Sequence, residues 1–136
     1  MRIETSFPGG LRVDAAVRGF RVSTDQPATV GGTDTAPSPF DLFLASMATC
    51  AGYYAQQFCR QRELPTEGLA LALEPHRDPE TGRLEEIRIE VELPEDFPEK
   101  YRAAIVRAVD RCAVKRVLLD PPRLTTVVRE EALLAS

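Results

Sequence analysis

The chain lacks tryptophan, has a single histidine, His76, and has three cysteines, none of them in a C-x-x-C pair. Such scattered residues do not have the ligand spacing of a zinc site, so we expect no metal and no cofactor. A Cys–His catalytic pair would require His76 to fold back onto a cysteine. An odd number of cysteines without a secretory signal segment indicates a reducing compartment, and we predict a cytoplasmic location.

Excess positive charge is absent too. The 17 basic and 21 acidic side chains give a net charge of −4, which disfavours nucleic acid as the main partner. One basic run at helical spacing is the local exception, formed by Arg107, Arg111, Lys115 and Arg116. We interpret it as a solvated helix face.

Long apolar runs are scarce. The most apolar stretch, residues 40–58, is interrupted by polar side chains and is at the short end of the roughly 17–25 residues that span a bilayer. We therefore expect a buried core helix and no association with a membrane. A chain of 136 residues suits one core, and we predict a single domain over residues 1–136.

The first third of the chain has the pattern of strands and turns. Short β-type runs at residues 2–6, 11–17 and 20–24 are separated by glycine and proline. Residues 25–37 then form a polar loop, which we interpret as flexible. Its Gly31-Gly32 pair suggests a phosphate loop, but the spacing fits neither a Walker nor a dinucleotide motif.

A helix is predicted to begin at Ser38. Pro39 at the first helical position and Asp41 two places later complete a capping box, and Leu64-Pro65 stops the helix near Arg62. This helix is apolar on nearly every face, so it must be covered by its own domain or by a partner subunit. Asp41 is either the helix cap, which we favour, or a catalytic carboxylate.

The second half predicts a hairpin, a helix and a strand. Residues 68–74 and 84–93 alternate in polarity around a turn, and a second capping box at residues 96–99 starts a second long helix. Residues 120–122 end that helix, and residues 124–128 form a last strand. This order predicts an α+β fold with two long helices packed against antiparallel sheets.

Two cysteines lie on the predicted buried faces. Cys50 is in the middle of the first helix, and Cys112 ends the apolar stripe of the second, so the two can converge. Converging thiols can serve as an attacking and a resolving pair on a peroxide. Buried cysteines often only fill space, and that alternative stays open. Cys59 is interpreted as a bystander.

A thiolate in the middle of a helix gains nothing from that helix's dipole, so an arginine would be needed to lower its pKa. The sequence offers four candidates and selects none: Arg18, Arg21, Arg111 and Arg116.

Three segments resemble a known signature. Residues 25–27 (DQP), 31–39 (GGTDTAPSP) and 40–50 (FDLFLASMATC) resemble the OsmC/Ohr superfamily, in which a glycine-containing loop enters a hydrophobic helix that ends in cysteine. Residues 111–115 (RCAVK) resemble its second signature, around the second cysteine. The resemblance covers essentially the whole chain.

The resemblance implies an OsmC-like fold in an intertwined homodimer, with active sites at the subunit interface. It also implies a thiol-dependent peroxidase that reduces organic hydroperoxides in oxidative-stress defence and is recycled by an external dithiol. Cys50 would attack, Cys112 would resolve, and an arginine–glutamate pair would activate the thiolate. Arg18 and Arg21 are the candidates for that arginine.

Two positions depart from the family pattern. The activating glutamate should follow the helix-starting proline, but Phe40 occupies that place, and Ala113 replaces the proline of the second signature. The missing carboxylate leaves a second hypothesis open. In it, the protein has the same fold but binds a small apolar ligand at the dimer interface without turnover.

Overall fold

Five strands and three α-helices follow one another along residues 1–129, the part of the chain that the computed structural model describes. The first three strands, β1 (Glu4–Gly9), β2 (Arg12–Val17) and β3 (Phe20–Thr24), form one antiparallel sheet in the order β1-β2-β3. Arg18 and Gly19 have φ angles of 51° and 85° in the β2–β3 turn, as a tight hairpin with left-handed central residues requires. The three strands predicted for this region are confirmed.

The first helix, α1 (Pro39–Gln61), begins at the predicted capping box. The Asp41 N–H donates to Ser38 Oγ at 3.1 Å, and the Ser38 N–H donates to Asp41 Oδ2 at 3.0 Å. These reciprocal bonds satisfy backbone donors that the first turn leaves unpaired. The Asp41 carboxylate is thus engaged as a helix cap.

The predicted hairpin forms from β4 (Ala70–Arg77) and β5 (Leu84–Glu92), which pair antiparallel. The apolar side of this hairpin packs on a core made by α1 and the chain after β5. The buried members of that core are Ala51, Ala55, Phe58, Cys59, Phe97, Ile105 and Val109. Mixed α and β elements with antiparallel sheets confirm the predicted α+β class.

The second long helix is the main correction. A 3₁₀ turn (Glu99–Tyr101) precedes α2 (Arg102–Val109), and the chain then breaks before α3 (Ala113–Leu119). The predicted capping box at residues 96–99 does not cap a helix, because Pro98 precedes the 3₁₀ turn and no side chain caps it. The apolar residues keep helical spacing up to Cys112, although α2 ends at Val109. Hydrophobic spacing alone therefore does not reveal the break.

The predicted last strand is also absent, since residues 121–129 have no regular structure. Leu124, Val127 and Val128 are 91%, 80% and 89% exposed. A strand needs a neighbouring strand for its hydrogen bonds, and this segment has none among the described residues. The prediction was wrong because β-propensity alone cannot supply a neighbouring strand.

The N-terminal sheet contributes nothing to the buried core. Ile3, Phe7 and Phe20 on or beside it are 53%, 79% and 66% exposed. On α1, Tyr53 is 56% exposed, so the helix predicted to be covered on all sides has an open face in the single chain. The sequence predicted that α1 is covered by its own domain or by a partner subunit, and its own chain covers only part of the helix surface.

Candidate functional site

The break between α2 and α3 places Cys112 at the start of a helix. Cys112 is the residue preceding α3, with φ −45° and ψ 127°, and its carbonyl accepts the first α3 hydrogen bond, from the Arg116 N–H at 3.0 Å. The first backbone N–H groups of α3 have no partner within the helix. They are therefore free to bind a group opposite the break.

That group is the sulfur of Cys50. Cys50 lies on α1, and the Cys112 side chain and the backbone N–H groups of Val114 and Ala113 are close enough to its sulfur to lower its pKa. The two thiols, 62 positions apart in sequence, thus meet across the packed helices. The contact depends on the helix break, which the sequence did not reveal.

The two thiols have opposite electrostatic environments. Burial alone would raise the pKa of Cys50, but the hydrogen bonds from Val114, Cys112 and Ala113 outweigh it, and the pKa is lowered. Burial raises the pKa of Cys112, and its hydrogen bond to Cys50 raises it further. Cys50 is therefore the group that ionises first, while Cys112 keeps its proton.

Cys112 is the more enclosed of the pair. It is fully buried, and its Sγ lies 4.0 Å from the carbonyl oxygen of Met47, on the turn of α1 before Cys50. Cys50 remains partly accessible. Cys50, a partly accessible residue with a lowered pKa, and Cys112, a buried residue with a raised pKa, therefore form an asymmetric pair.

The groups that lower the pKa of Cys50 are not the ones expected from the sequence. The sequence suggested that a mid-helix thiolate needs an arginine, yet within the described chain no arginine is among the groups that shift the pKa of Cys50. Backbone N–H groups of another helix act on it instead. The sequence did not identify these N–H groups because their position depends on where α3 begins.

The two candidate arginines lie on the N-terminal sheet. Arg18 is exposed in the β2–β3 turn, and Arg21 Nε lies 3.0 Å from Asp14 Oδ2. The Asp14 side chain is buried, and neither of its oxygens accepts a hydrogen bond from a described residue. The sequence patterns gave no reason to expect this buried carboxylate beside Arg21.

An aromatic cluster occupies the place of the family's glutamate. Phe40 packs against Phe43 with ring centroids 5.4 Å apart, and the Arg77 guanidinium lies 5.1 Å above the Phe40 ring. A cation–π contact of this kind provides no acceptor that could orient an arginine toward a thiolate. Position 40 therefore supplies no carboxylate to the site.

The loop predicted to be flexible is ordered around a buried carboxylate. Asp25 is 1% exposed and accepts hydrogen bonds from the hydroxyl groups of Thr33 and Thr35, both at 2.7 Å, and from the Thr35 N–H at 3.1 Å. These bonds, led by the Thr35 hydroxyl, hold the pKa of Asp25 well below its usual value. The loop is fixed in place where it leads into α1.

Cys59 takes no part in this arrangement. It is fully buried in the core, and burial raises the pKa of its thiol.

Among residues 1–129, no group of three histidine, cysteine, aspartate or glutamate side chains is arranged to hold a metal ion. No helix in the same range is long and apolar enough to cross a membrane.

Comparison with known proteins agrees with this fold. The family model described as OsmC-like protein matches residues 32–127. Searching curated protein sequences finds no match.

Solved structures extend the likeness to most of the chain. A proposed osmotic stress induced and detoxification response protein from Psychrobacter arcticus is 22% identical, with a TM-score of 0.71 over 84% of this chain and 85% of its own. An OsmC-like protein from Mycoplasma pneumoniae is 18% identical, with a TM-score of 0.68 over 88% and 87%. An organic hydroperoxide resistance protein from Legionella pneumophila is 16% identical, with a TM-score of 0.53 over 86% and 87%.

Proposed function

Because the chain belongs to the OsmC-like family, we propose that it is a thiol-dependent peroxidase that reduces organic hydroperoxides through Cys50 and Cys112. The observation that carries the proposal is that Cys112 lies against the α1 turn that precedes Cys50, near enough for the two thiols to shift each other's pKa in opposite directions. The similar structure from Legionella pneumophila is that of an organic hydroperoxide resistance protein, which agrees with this chemistry.

In the proposed cycle the Cys50 thiolate attacks the O–O bond of the hydroperoxide. An S–O bond forms, the O–O bond breaks, and the leaving alkoxide takes a proton, giving an alcohol and Cys50 sulfenic acid. The Cys112 sulfur then displaces the hydroxyl of the sulfenic acid, which leaves as water with the thiol proton. An external dithiol supplies two electrons to reduce the disulfide and restore both thiols.

A groove near the thiols, lined by both apolar and charged side chains, could accept the organic part of a hydroperoxide. It has a volume of about 870 Å³ between β5 and α3 and includes Met47, whose carbonyl contacts Cys112. Ile87 and Leu118 are among the apolar side chains that line it. The apolar part of this lining would contact an alkyl or aryl substituent, while the charged side chains of the groove, among them Glu86 and Lys115, would remain near solvent.

We also propose that the functional unit is a homodimer. Isolated exposed apolar residues are ordinary, but here they are concentrated at both ends of the described chain. Ile3 and Phe7 at one end and Leu124 and Val127 at the other are all more than half exposed. A second copy would cover them and the open face of α1. Arg18 and Arg21 remain predictions for activating residues, and in this proposal the partner subunit would supply them.

The test is consumption of cumene hydroperoxide with dithiothreitol as reductant. Wild-type protein should consume the peroxide faster than the thiol blank, and Cys50→Ser should not. Cys59→Ser is the matched control, since that thiol lies away from the pair, and it should keep wild-type activity. A wild-type rate equal to the blank would remove the peroxidase proposal.

A second candidate function is binding of a small apolar ligand without turnover. It is favoured by one observation, the Phe40–Phe43 aromatic contact where the family's glutamate would lie. Two measurements together separate the proposals. Saturable binding of cumyl alcohol in a calorimetric titration, with no consumption of cumene hydroperoxide in the activity assay, would favour the binding protein.

A further inference from the structure

The break between α2 and α3 contains no residue type that commonly breaks a helix. Residues 110–112 are aspartate, arginine and cysteine, whereas sharp bends usually occur at proline, at glycine or serine, or at an inserted group. The apolar spacing up to Cys112 would suit one continuous helix. Interactions between side chains, rather than local propensity, must therefore stabilise the broken form.

One ion pair spans the break and fits only the broken form. Lys115 Nζ lies 2.6 Å from Asp110 Oδ1. In a continuous α-helix, side chains five positions apart point about 140° away from each other around the axis, and ion pairs form at spacings of three or four. The basic run predicted to be one solvated helix face is thus divided, with Arg107 on α2 and Lys115 on α3.

Each member of this pair lies at the end of its helix that disfavours its charge. Asp110 follows the last residue of α2, where the helix dipole is negative, and Lys115 lies in the first turn of α3, where the dipole is positive. Pairing with each other offsets both unfavourable interactions. Loss of either charge leaves the other uncompensated.

The position of α3 has little other support among the described residues. The helix has seven residues, none of them buried, and no side chain caps its start. Helices this short are unstable unless tertiary contacts hold them. The groove near the thiols brings three further charged side chains close to Lys115, namely Arg83, Glu85 and Glu86. Within the described chain, Lys115 forms an ion pair with none of the three.

The broken and continuous forms differ in what they offer to the thiols. In a continuous helix the N–H groups of Ala113 and Val114 would bond to carbonyl groups four positions earlier in α2. In the broken form the Val109 carbonyl accepts the Cys112 N–H instead, at 3.1 Å. Ala113 and Val114 are thus free to act on Cys50, and their N–H groups lower its pKa.

We propose that the Asp110–Lys115 ion pair selects the broken form of the helix, which makes Lys115 a positioning residue for the thiol pair. Lys115 acts through the backbone of α3 and does not need to touch the sulfur of Cys50. Both members of the pair belong to one chain, so the proposal does not depend on which surfaces a second copy covers. It deepens the proposed function, on which its biological role rests, but its test measures thiol ionisation and requires no turnover of peroxide.

The test is the pH dependence of Cys50 alkylation by iodoacetamide in the full-length chain, with the modified peptide quantified by mass spectrometry. Lys115→Gln should move the midpoint of this profile upward by roughly 0.3–0.7 pH units, within the range that an exposed ion pair can supply. Below the midpoint, alkylation should slow by about two- to fivefold. Lys115→Arg keeps the charge and should retain the wild-type midpoint.

Arg116→Gln is the matched control. It removes a positive charge from the next position of α3, but Arg116 forms no ion pair with a described residue and is not among the groups that act on Cys50. Its midpoint should equal that of wild type. Exchange of the paired charges, Asp110→Lys together with Lys115→Asp, should restore the midpoint that Lys115→Gln shifts.

An unchanged midpoint in Lys115→Gln would overturn the proposal. An equal shift in Arg116→Gln would overturn it too, because total charge near the thiol would then explain the result. A shifted midpoint that the charge exchange restores, in a protein that consumes no peroxide, would support the role of the ion pair and remove only the proposed function.

Discussion

Gly32 packs so closely against Gln26 that an added methyl group would overlap the backbone. A Cβ at position 32 would lie 1.9 Å from the Gln26 carbonyl oxygen and 2.8 Å from its Cα. The same oxygen accepts the Asp34 N–H at 3.1 Å, so relieving the overlap also disturbs that bond. Overpacking costs about 1–3 kcal/mol and a lost hydrogen bond about 0.5–1.5 kcal/mol. Gly32→Ala should therefore lower the free energy of unfolding by roughly 2–4 kcal/mol.

Urea unfolding followed by far-ultraviolet circular dichroism measures this loss, at one fixed protein concentration because a dimer makes stability concentration-dependent. Gly52→Ala is the matched control: it lies within α1, and its added Cβ meets no atom within 4 Å. Helix propensity should make that variant up to about 1 kcal/mol more stable. Equal unfolding midpoints for Gly32→Ala and wild type would refute the close packing of the loop.

Three further predictions concern the loop, the core and the thiols. Because the folded pKa of Asp25 lies below its usual value of 3.8, its stabilisation is present above that pH and is lost as the pH falls toward the folded pKa. Asp25→Asn should thus be less stable than wild type at neutral pH, and the difference in unfolding midpoint should shrink in acid; a constant difference would contradict this. Ile105→Ala removes a fully buried side chain and should cost about 2–5 kcal/mol in the same urea titration, whereas a loss below 1 kcal/mol would show that the site is not packed as described. Iodoacetamide should alkylate Cys50 before Cys112 at near-neutral pH, since one pKa is lowered and the other raised, and peptide mass spectrometry that found the reverse order would contradict the pair's asymmetry.

Local sequence signals predicted the parts of the fold that depend on neighbouring residues. The capping box at Ser38 and Asp41 determines where α1 starts, and two-residue alternation determines the β4–β5 hairpin. Each signal acts over a few positions and needs no knowledge of the rest of the chain. These elements agree with the prediction to within a few residues.

The site depends on features that lie between elements. Hydrophobic spacing continued through Cys112, although the backbone breaks there and starts a new helix. That break gives Cys50 its hydrogen bonds from Val114 and Ala113, which replace the arginine expected from the sequence. The order of the loop around Asp25 likewise comes from hydroxyl groups eight and ten positions away. Contacts of this kind appear only after the chain has folded.

The most direct test of the proposed thiol chemistry is to identify the bond that peroxide creates. Fully reduced protein is treated with one equivalent of cumene hydroperoxide, blocked with iodoacetamide, and digested without reductant for mass spectrometry. We expect a disulfide between the peptides that contain Cys50 and Cys112, with Cys59 recovered as a blocked thiol. Cys50 recovered as a blocked thiol, or a disulfide that includes Cys59, would contradict it.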